Sequence, residues 1–556
     1  MAKRQKIILI ILILFFTIAQ VIPVIKNGLN YNYGIGFWGS NGHDSVWHLS
    51  LINNIHNPFK INMPIFSGEN LKNYHPFFDI LVSFLTRITH IPSSIWLFQI
   101  IPLITASLTI YISFLLGKKL TNKFSGGIYL AFLTTFANSF GWIISLFKNG
   151  NWSGESMFWA MQSISNQLNP PYALSLLFIS LILLIIINNK KLSKKNSLFL
   201  IILLSLLPIT KAYGGVIMFF FFGIYSLYSL KKKYFTPSII LAISTVIGYS
   251  IYSIFNTATT NLFIFKPLWF SNTLFEASDR LFISQITNMR YTLESTGNMG
   301  PKLLLIYIFG IAVFIVGNFS WRLLGFLSLK KIKNNFYLQI LITIIFSTIL
   351  PLLFIQKGTN WNTIQFLYYG LFFSNFLLAQ YLVDIEKKTI GKVLISIIIV
   401  TSFISSSNTL KIFLNNTSQA YISNQETEAL KKLSTSQQGT VLTYPYDKYK
   451  KGSIKDPIPL YLYETTSYVS AFSEKPVYLE DEMNLSITGY DWQSRRKEEE
   501  KFFTTEDKFF ARGFLLNNKI DYIYLVDDQN FQLSTDDLQI DKIFENSQVK
   551  IYKTRR

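Results

Sequence analysis

Cysteine is absent from the 556 residues, and charged side chains make up only 15% of them. The absence of cysteine excludes disulfides, thiolate chemistry and a cysteine-ligated metal site. Histidine is also scarce, with five residues in the chain. A soluble chain of this length usually carries more charge and divides into several domains. The composition therefore argues against a soluble protein.

Long apolar runs, in contrast, are abundant. Residues 7–25 read IILIILILFFTIAQVIPVI, and residues 174–188 read LSLLFISLILLIIIN. Such runs match the hydrocarbon core of a bilayer, which is about 30 Å thick and needs about 20 apolar residues. We therefore predict a polytopic α-helical membrane protein. The first run is longer than a signal-peptide core and lacks a small-residue cleavage site, so we interpret it as a retained signal anchor.

We predict eleven spans with short basic loops between alternate pairs. The predicted spans are 7–25, 95–116, 125–147, 171–188, 197–210, 212–230, 236–256, 302–320, 336–355, 363–383 and 391–408. The basic clusters are Lys3/Arg4/Lys6, Lys118/Lys119/Lys123, Lys190/Lys191/Lys194/Lys195, Lys231/Lys232/Lys233, Lys330/Lys331/Lys333 and Lys387/Lys388/Lys392. The positive-inside rule places all six clusters in the cytoplasm. The net charge of +20 is thus explained by topology, and no nucleic-acid partner is expected.

This topology predicts a multi-pass protein of the plasma membrane with a cytoplasmic N-terminus. Residues 1–408 form the transmembrane domain, whose long outer loops are 26–94, 148–170 and 257–301. Residues 420–556 are polar and alternate between strand-like segments such as IDYIYLV and helix-like segments such as ETEALKKLS. That alternation predicts a soluble extracytoplasmic α/β domain. It has no glycine-rich phosphate fingerprint, so nucleotide binding is not expected.

The stretch SNGHDSVWHLS, at residues 40–50, places a polar cluster in the first outer loop. Asp44 and His48 are four residues apart, so they share one face of a helix whose N-terminus favours a carboxylate. His75 and Asp79 follow with the same spacing. A helix cap with solvated histidines is one interpretation, and a catalytic group is the other.

A divalent metal ion bound by His43, Asp44, His48 and His75, with Asp79 in support, is a further alternative. Histidine and carboxylate ligands suit such an ion. The spacing matches no specific zinc signature, however. No cofactor is therefore assigned, and a divalent metal ion stays an open alternative.

Three basic residues are predicted to lie at the outer membrane interface: Lys211, Arg280 and Lys357. An ionisable residue at membrane depth costs about 2.5–3.5 kcal/mol on insertion scales, so it is a candidate functional residue. Lysine and arginine there suit a phosphate or diphosphate through charge-assisted hydrogen bonds. Contact with lipid headgroups is the alternative.

This combination resembles the GT-C superfamily of membrane glycosyltransferases, which use polyprenyl-phosphate sugars. GHDSVWHLSLINNI takes the place of the carboxylate-bearing first outer loop of that superfamily, and NYHPFFDILVSFLTRI is similar to the interfacial segment that follows it. The resemblance implies a catalytic role for Asp44, with His43, His48 and His75 in support. Many members have two neighbouring acids in this loop, and here Asp44 has none close by.

The resemblance implies a membrane glycosyltransferase, of inverting type, with Asp44 as the base and Lys211, Arg280 and Lys357 holding the donor phosphate. Its partners would be membrane lipid, a polyprenyl-phosphate sugar donor and a glycan, lipid or protein acceptor. In the segment SEKPVYLEDEMNLSITGYDWQSRR we expect acceptor contacts, and an ordinary surface loop is the alternative. The expected contacts are Asp481, Asn484, Tyr490 and Arg495.

Two other functions are open. A transporter or flippase for a lipid-linked sugar would favour internal repeats and polar residues at the bilayer midplane, and neither is evident. A non-catalytic scaffold for cell-envelope glycan would depend on residues 420–556.

Overall fold

The computed structural model describes residues 3–189, 191–257, 262–297, 300–331, 335–452 and 454–555. Lys190 and Lys333 of the predicted basic clusters lie outside these residues. Within the described ranges, nine helices are long and apolar enough to cross a membrane. They are Lys3–Ile25, Ser93–Thr121, Pro170–Asn188, Ala212–Lys231, Thr236–Phe255, Pro301–Leu329, Asn335–Leu353, Asn360–Ile385 and Thr389–Leu414. The predicted polytopic helical fold is thereby confirmed.

Two of the eleven predicted spans have a different form. The segment predicted at 125–147 is a pair of helices, Phe124–Phe136 and Gly141–Asn149, bent by 46° at the break. At the break, the Ser139 hydroxyl accepts a hydrogen bond from the Gly141 amide at 3.0 Å, a local bond that competes with continuous helix. Counting the pair as one span gives ten spans in the described chain.

The second exception is the segment predicted at 197–210. It lies in a 17-residue helix, Lys194–Thr210, which is shorter than the other spans. The break after it is a single residue, since Lys211 has extended backbone angles and the next helix begins at Ala212. The two helices pack against each other.

Shorter helices complete the helical part of the described chain. They are Gly39–Gly42, Asp44–Asn54, Phe77–Thr89, Ser163–Leu168, Trp269–Glu276, Ser284–Ser295, Asn424–Ser434, Leu460–Tyr463, Tyr468–Ser473, Glu482–Thr488, Gln493–Thr504, Lys508–Asn517 and Thr535–Leu538. The strands are β1 Asn30–Tyr31, β2 Gly34–Phe37, β3 Phe263–Phe265, β4 Phe354–Gln356, β5 Ala420–Ser423, β6 Thr440–Thr443, β7 Ile458–Pro459, β8 Ile520–Val526, β9 Ile540–Glu545 and β10 Val549–Thr554.

The chain divides into two compact units. The first unit comprises Met1–Ile22, Pro102–Ser253 and Thr259–Ile412, and the second comprises Pro23–Ile101, Ile254–Ala258 and Phe413–Arg556. The second unit therefore combines the predicted first outer loop with the predicted C-terminal domain.

In the first unit, the helix Gln365–Ile385 packs against Ser320–Lys331 and Asn335–Leu353. Arg322 is almost fully buried there. Its guanidinium donates to the amide oxygens of Asn375 and Gln162, both at 2.9 Å, and to the Asn138 carbonyl at 3.0 Å. These bonds satisfy a charge that is costly to bury and link distant segments of the unit.

The second unit contains two four-stranded sheets. The first has the order β1-β2-β5-β7, so that β2 of the first loop pairs antiparallel with β5, Ile35 opposite Ile422. The second has the order β6-β8-β10-β9, in which β6 and β8 are parallel. The strand predicted in IDYIYLV is confirmed as β8.

One apolar core fills this unit. Trp47, Leu51 and Met63 from the first loop are buried with Leu485 and Phe514 from the C-terminal segment. Burying such side chains contributes about 1.5–3 kcal/mol each. The amphipathic helix predicted after His75 is present as Phe77–Thr89. The rest of the unit is therefore tied to residues 44–54, the segment that carries the candidate site.

Candidate functional site

A line of three polar side chains forms the centre of the second unit. Asp44 is the first residue of the helix Asp44–Asn54, and its Oδ1 lies 2.9 Å from Nδ1 of His43. The opposite ring nitrogen, Nε2, lies 3.1 Å from Oδ1 of Asp481. The predicted catalytic residue and the predicted acceptor residue Asp481 are thus joined through His43.

The exposure of the three side chains differs sharply. The Asp44 side chain is 57% exposed, whereas His43 is 5% and Asp481 0% exposed. Asp481, at the buried end of this line, is also held by Asn484, whose side-chain amide nitrogen donates to Asp481 Oδ2 at 2.7 Å. The solvent-facing carboxylate of Asp44 is therefore held in place by two buried, hydrogen-bonded side chains, those of His43 and Asp481.

His43 is cationic in this setting. Burial lowers the pKa of its imidazole, but the charges and hydrogen bonds of Asp481 and Asp44 more than offset this and raise the pKa well above 6.5. A protonated imidazole donates from both nitrogens, which matches its position between two carboxylates. The cation orients Asp44 and leaves the second Asp44 oxygen available to a substrate.

A second histidine–carboxylate pair links the helix Asp44–Asn54 to the helix Phe77–Thr89. Nδ1 of His48 is 2.7 Å from Oδ1 of Asp79, and both side chains are buried. His75 is half-buried and stacks on Tyr74, with 4.8 Å between ring centroids. His48 therefore joins the helix Asp44–Asn54 to the helix Phe77–Thr89, a positioning contact between two elements.

The donor set does not fit a metal ion held by the histidines. Within the part of the chain that the structure describes, no group of three or more His, Cys, Asp or Glu side chains is arranged to hold one. Both nitrogens of His43 face carboxylates, and Nδ1 of His48 faces Asp79. His43, Asp44, His48 and Asp79 thus use these atoms in hydrogen bonds to neighbouring side chains.

Of the four predicted acceptor residues, two belong to this site and two do not. Asp481 and Asn484 belong to the site described above. Tyr490 donates instead to the Asn70 carbonyl, and Arg495 donates to the carbonyls of Ser67 and Tyr478 at 2.9 and 3.0 Å. These two side chains hold the segment Gln493–Thr504 to residues 61–71, and an acceptor contact through them stays a prediction.

The three predicted phosphate-binding residues lie in the first unit. Lys211 is buried, and its Nζ lies 3.3 Å from Oδ1 of Asn169. Lys357 is exposed at the end of β4. Their segments are linked, since the Tyr213 hydroxyl donates to Oε1 of Gln356 at 2.6 Å.

Arg280 has different neighbours. Its guanidinium carbon is 4.2 Å from the centre of the Trp159 ring, and its NH1 is 2.9 Å from an oxygen of Asp279. Burial is the first cause of a lowered pKa for this arginine, and the group stays charged. Its role toward a phosphate stays a prediction.

Sequence reasoning found Asp44 and Asp481 separately but missed their connection through His43. No local signal carries that connection, because His43 and Asp481 are 438 residues apart. His43 had been considered only as a supporting or metal-binding residue.

Comparison with solved structures shows what fold this chain shares. It matches the Archaeoglobus fulgidus oligosaccharyltransferase, crystallised with zinc and sulfate, with a TM-score of 0.50 and 14% identity over 93% of this chain and 68% of that one. It matches AglB from Archaeoglobus fulgidus, in complex with an inhibitory peptide and a dolichol-phosphate, with a TM-score of 0.50 and 12% identity over 93% and 69% of the two chains.

A third match is the mycobacterial arabinofuranosyltransferase AftD, with a TM-score of 0.50 and 10% identity. It covers 100% of this chain and 40% of AftD, so the chain spans less than half of that protein. A scan of protein-family models finds no match, and a search of curated proteins finds none either. The chain thus shares its fold with these solved glycosyltransferases, and the predicted resemblance is confirmed at the level of the fold.

Proposed function

We propose that the protein is a membrane glycosyltransferase that moves a sugar from a polyprenyl-phosphate donor to an acceptor on the outer face of the plasma membrane. The observation that carries this proposal is the exposed Asp44 carboxylate, oriented by buried His43, in a chain with a glycosyltransferase fold. The basic loops between alternate spans support a cytoplasmic N-terminus and an extracytoplasmic second unit.

The chemistry follows from the state of Asp44. One carboxylate oxygen is held by His43, and the other accepts the proton of an acceptor hydroxyl. The hydroxyl oxygen attacks the anomeric carbon while the bond from that carbon to the donor phosphate breaks, and the electron pair leaves with the phosphate. A direct displacement inverts the anomeric centre.

The departing phosphate needs positive charge, which stabilises the negative charge that develops in the transition state. Lys211, Arg280 and Lys357 are the residues we assign to that task. Lys211 contributes a buried cation to this assignment, and an ionisable residue in a membrane segment is a candidate functional residue.

The test replaces Asp44 by asparagine, which keeps the size of the side chain and removes the base. We expect Asp44→Asn to lower transfer from a polyprenyl-phosphate sugar by about 10²–10⁴-fold, with insertion and accumulation unchanged. Asp541→Asn, an exposed carboxylate on β9, is the matched control and should transfer like the parent protein. Transfer is measured on purified protein in liposomes with a radiolabelled donor.

Normal transfer by Asp44→Asn would remove the assignment of this residue. Translocation of the labelled lipid across the liposome membrane without transfer would instead favour a flippase. Transfer and translocation can be measured in the same liposome preparation, because extraction separates the product from the donor.

A further inference from the structure

A cavity of about 310 Å³ lies inside the second unit, next to Asp481. Its wall is formed by Thr443–Asp447, by residues 461–468 and by the start of the helix Gln493–Thr504. A volume near 300 Å³ is at the lower end of the range for small-molecule sites. The cavity is large enough for a single sugar ring.

The charge of the wall is strongly acidic. Six carboxyl groups line the cavity, at Asp447, Glu464, Glu480, Asp481, Glu482 and Glu499, against two cations, Lys450 and Arg496. Both cations already have partners: Lys450 pairs with Asp528 at 2.5 Å, and Arg496 pairs with Glu482 at 2.5 Å and Glu500 at 2.7 Å. Carboxyl groups therefore outnumber cations in the wall, and both cations are already paired.

Glu499 is the group that points to a ligand. It is 1% exposed and lines the cavity. Among the described residues, its Oε1 has no hydrogen-bond partner. A buried polar atom without a partner costs about 1–3 kcal/mol. A donor group on a bound molecule would offset that cost.

The acidity of this part of the wall is unusual. Burial raises the pKa of Glu499 well above its ordinary value. Burial also raises the pKa of Glu480 to about 8, although the amides of Val469 and Ser470 donate to its carboxylate. Burial therefore disfavours the charged form of both carboxyl groups, and a cation bound beside them would favour it.

Tyrosine rings form the other part of the wall. Tyr444, Tyr446, Tyr461, Tyr468 and Tyr524 all line the cavity. Aromatic faces attract a cation, and the effect grows when the cation is desolvated. Their hydroxyl groups suit a ring that carries several hydroxyls of its own.

We propose that this cavity binds an amino sugar, with the protonated amine at Glu499 and the sugar ring against the tyrosines. As the acceptor of the transferase, this sugar rests on the proposed function. The binding itself does not, because it needs only the second unit. Asp481 connects the cavity wall to His43 and so to Asp44.

The experiment measures binding to the purified full-length protein by isothermal titration calorimetry. Glucosamine should bind, and glucose and N-acetylglucosamine should bind at least about tenfold more weakly, because neither presents a protonated amine.

Two variants and a control separate ligand contact from misfolding. Glu499→Gln should weaken glucosamine binding by at least about tenfold. Glu464→Gln, at an exposed residue of the wall, should weaken binding several-fold while the thermal midpoint stays unchanged. Glu506→Gln, an exposed residue just beyond the helix Gln493–Thr504, should bind like the parent protein.

Equal binding of glucose and glucosamine would overturn the proposal, as would unchanged binding by both wall variants. Tighter binding of Nα-acetyl-lysine amide than of glucosamine would show a peptide site instead. Asp44→Asn should still bind glucosamine. If the parent protein binds glucosamine but transfers no sugar, that result would count against the proposed function alone. If it transfers sugar but does not bind glucosamine, that result would count against this inference alone.

Discussion

At the scale of single residues, His43 decides whether Asp44 has a fixed orientation. Its imidazole lies between the carboxylates of Asp44 and Asp481 and is 5% exposed. A neutral ring would donate to only one of them. The protonation of one side chain thus sets the geometry of the candidate base.

This gives a pH dependence with a definite sign. The folded pKa of His43 is raised, so its contribution to the free energy of unfolding is complete below pH ~6.5 and is lost as pH rises through the folded value. The contribution is about 1.4 kcal/mol for each unit by which the pKa is raised. The thermal midpoint of the purified protein should therefore fall as pH rises above neutrality.

His43→Gln should flatten that fall, while His56→Gln, at an exposed histidine, should leave it as in the parent protein. The measurement is a thermal-unfolding series between pH 5.5 and 9 in one detergent (about the range in which histidine titrates). An unchanged slope in His43→Gln would show that another group controls the dependence.

At the scale of elements, the pairing of β2 with β5 joins the first loop to the C-terminal segment. Gly34 makes that pairing possible. Its φ is +125°, and a Cβ there would lie 1.9 Å from the Ile422 carbonyl oxygen. The backbones of the two strands approach so closely that no side chain fits.

Gly34→Ala should therefore lower stability by more than the backbone term alone, which is about 1 kcal/mol for a residue forced to positive φ. Gly68→Ala is the matched control, since Gly68 also has positive φ, +86°, but open space around its Cβ position. Thermal unfolding of the two variants should show a clearly larger loss for Gly34→Ala. Equal losses would mean that β5 shifts to accommodate the methyl group.

Sequence patterns predict the individual helices and strands better than they predict how those elements pair. Apolar runs predicted the spans because bilayer thickness fixes their length, and the amphipathic pattern predicted Phe77–Thr89. At the bend after Phe136, the Ser139 side chain accepts a hydrogen bond, which hydropathy does not report. The cavity wall gathers tyrosines and acids from residues 443–529, and their spacing has no period that a local pattern could reveal.

At the scale of the whole molecule, the absence of cysteine makes orientation directly measurable. Glu506→Cys and Lys387→Cys place one thiol each at exposed residues of a chain that otherwise has none. We expect a membrane-impermeant maleimide to label Glu506→Cys on intact cells and Lys387→Cys only after permeabilisation. The reverse labelling would invert the proposed orientation and place Asp44 in the cytoplasm.

The contact between His43 and Asp481 also determines when the candidate site can form during synthesis. The two residues are 438 positions apart, and ribosomes add about 5–20 residues each second. Asp481 is therefore synthesised about 20–90 s after His43. During that interval several spans are made, so the first loop must stay unaggregated while it lacks β5 and most of the apolar core. The candidate site is among the last parts of the protein to form, and a nascent chain truncated before Asp481 has no completed centre.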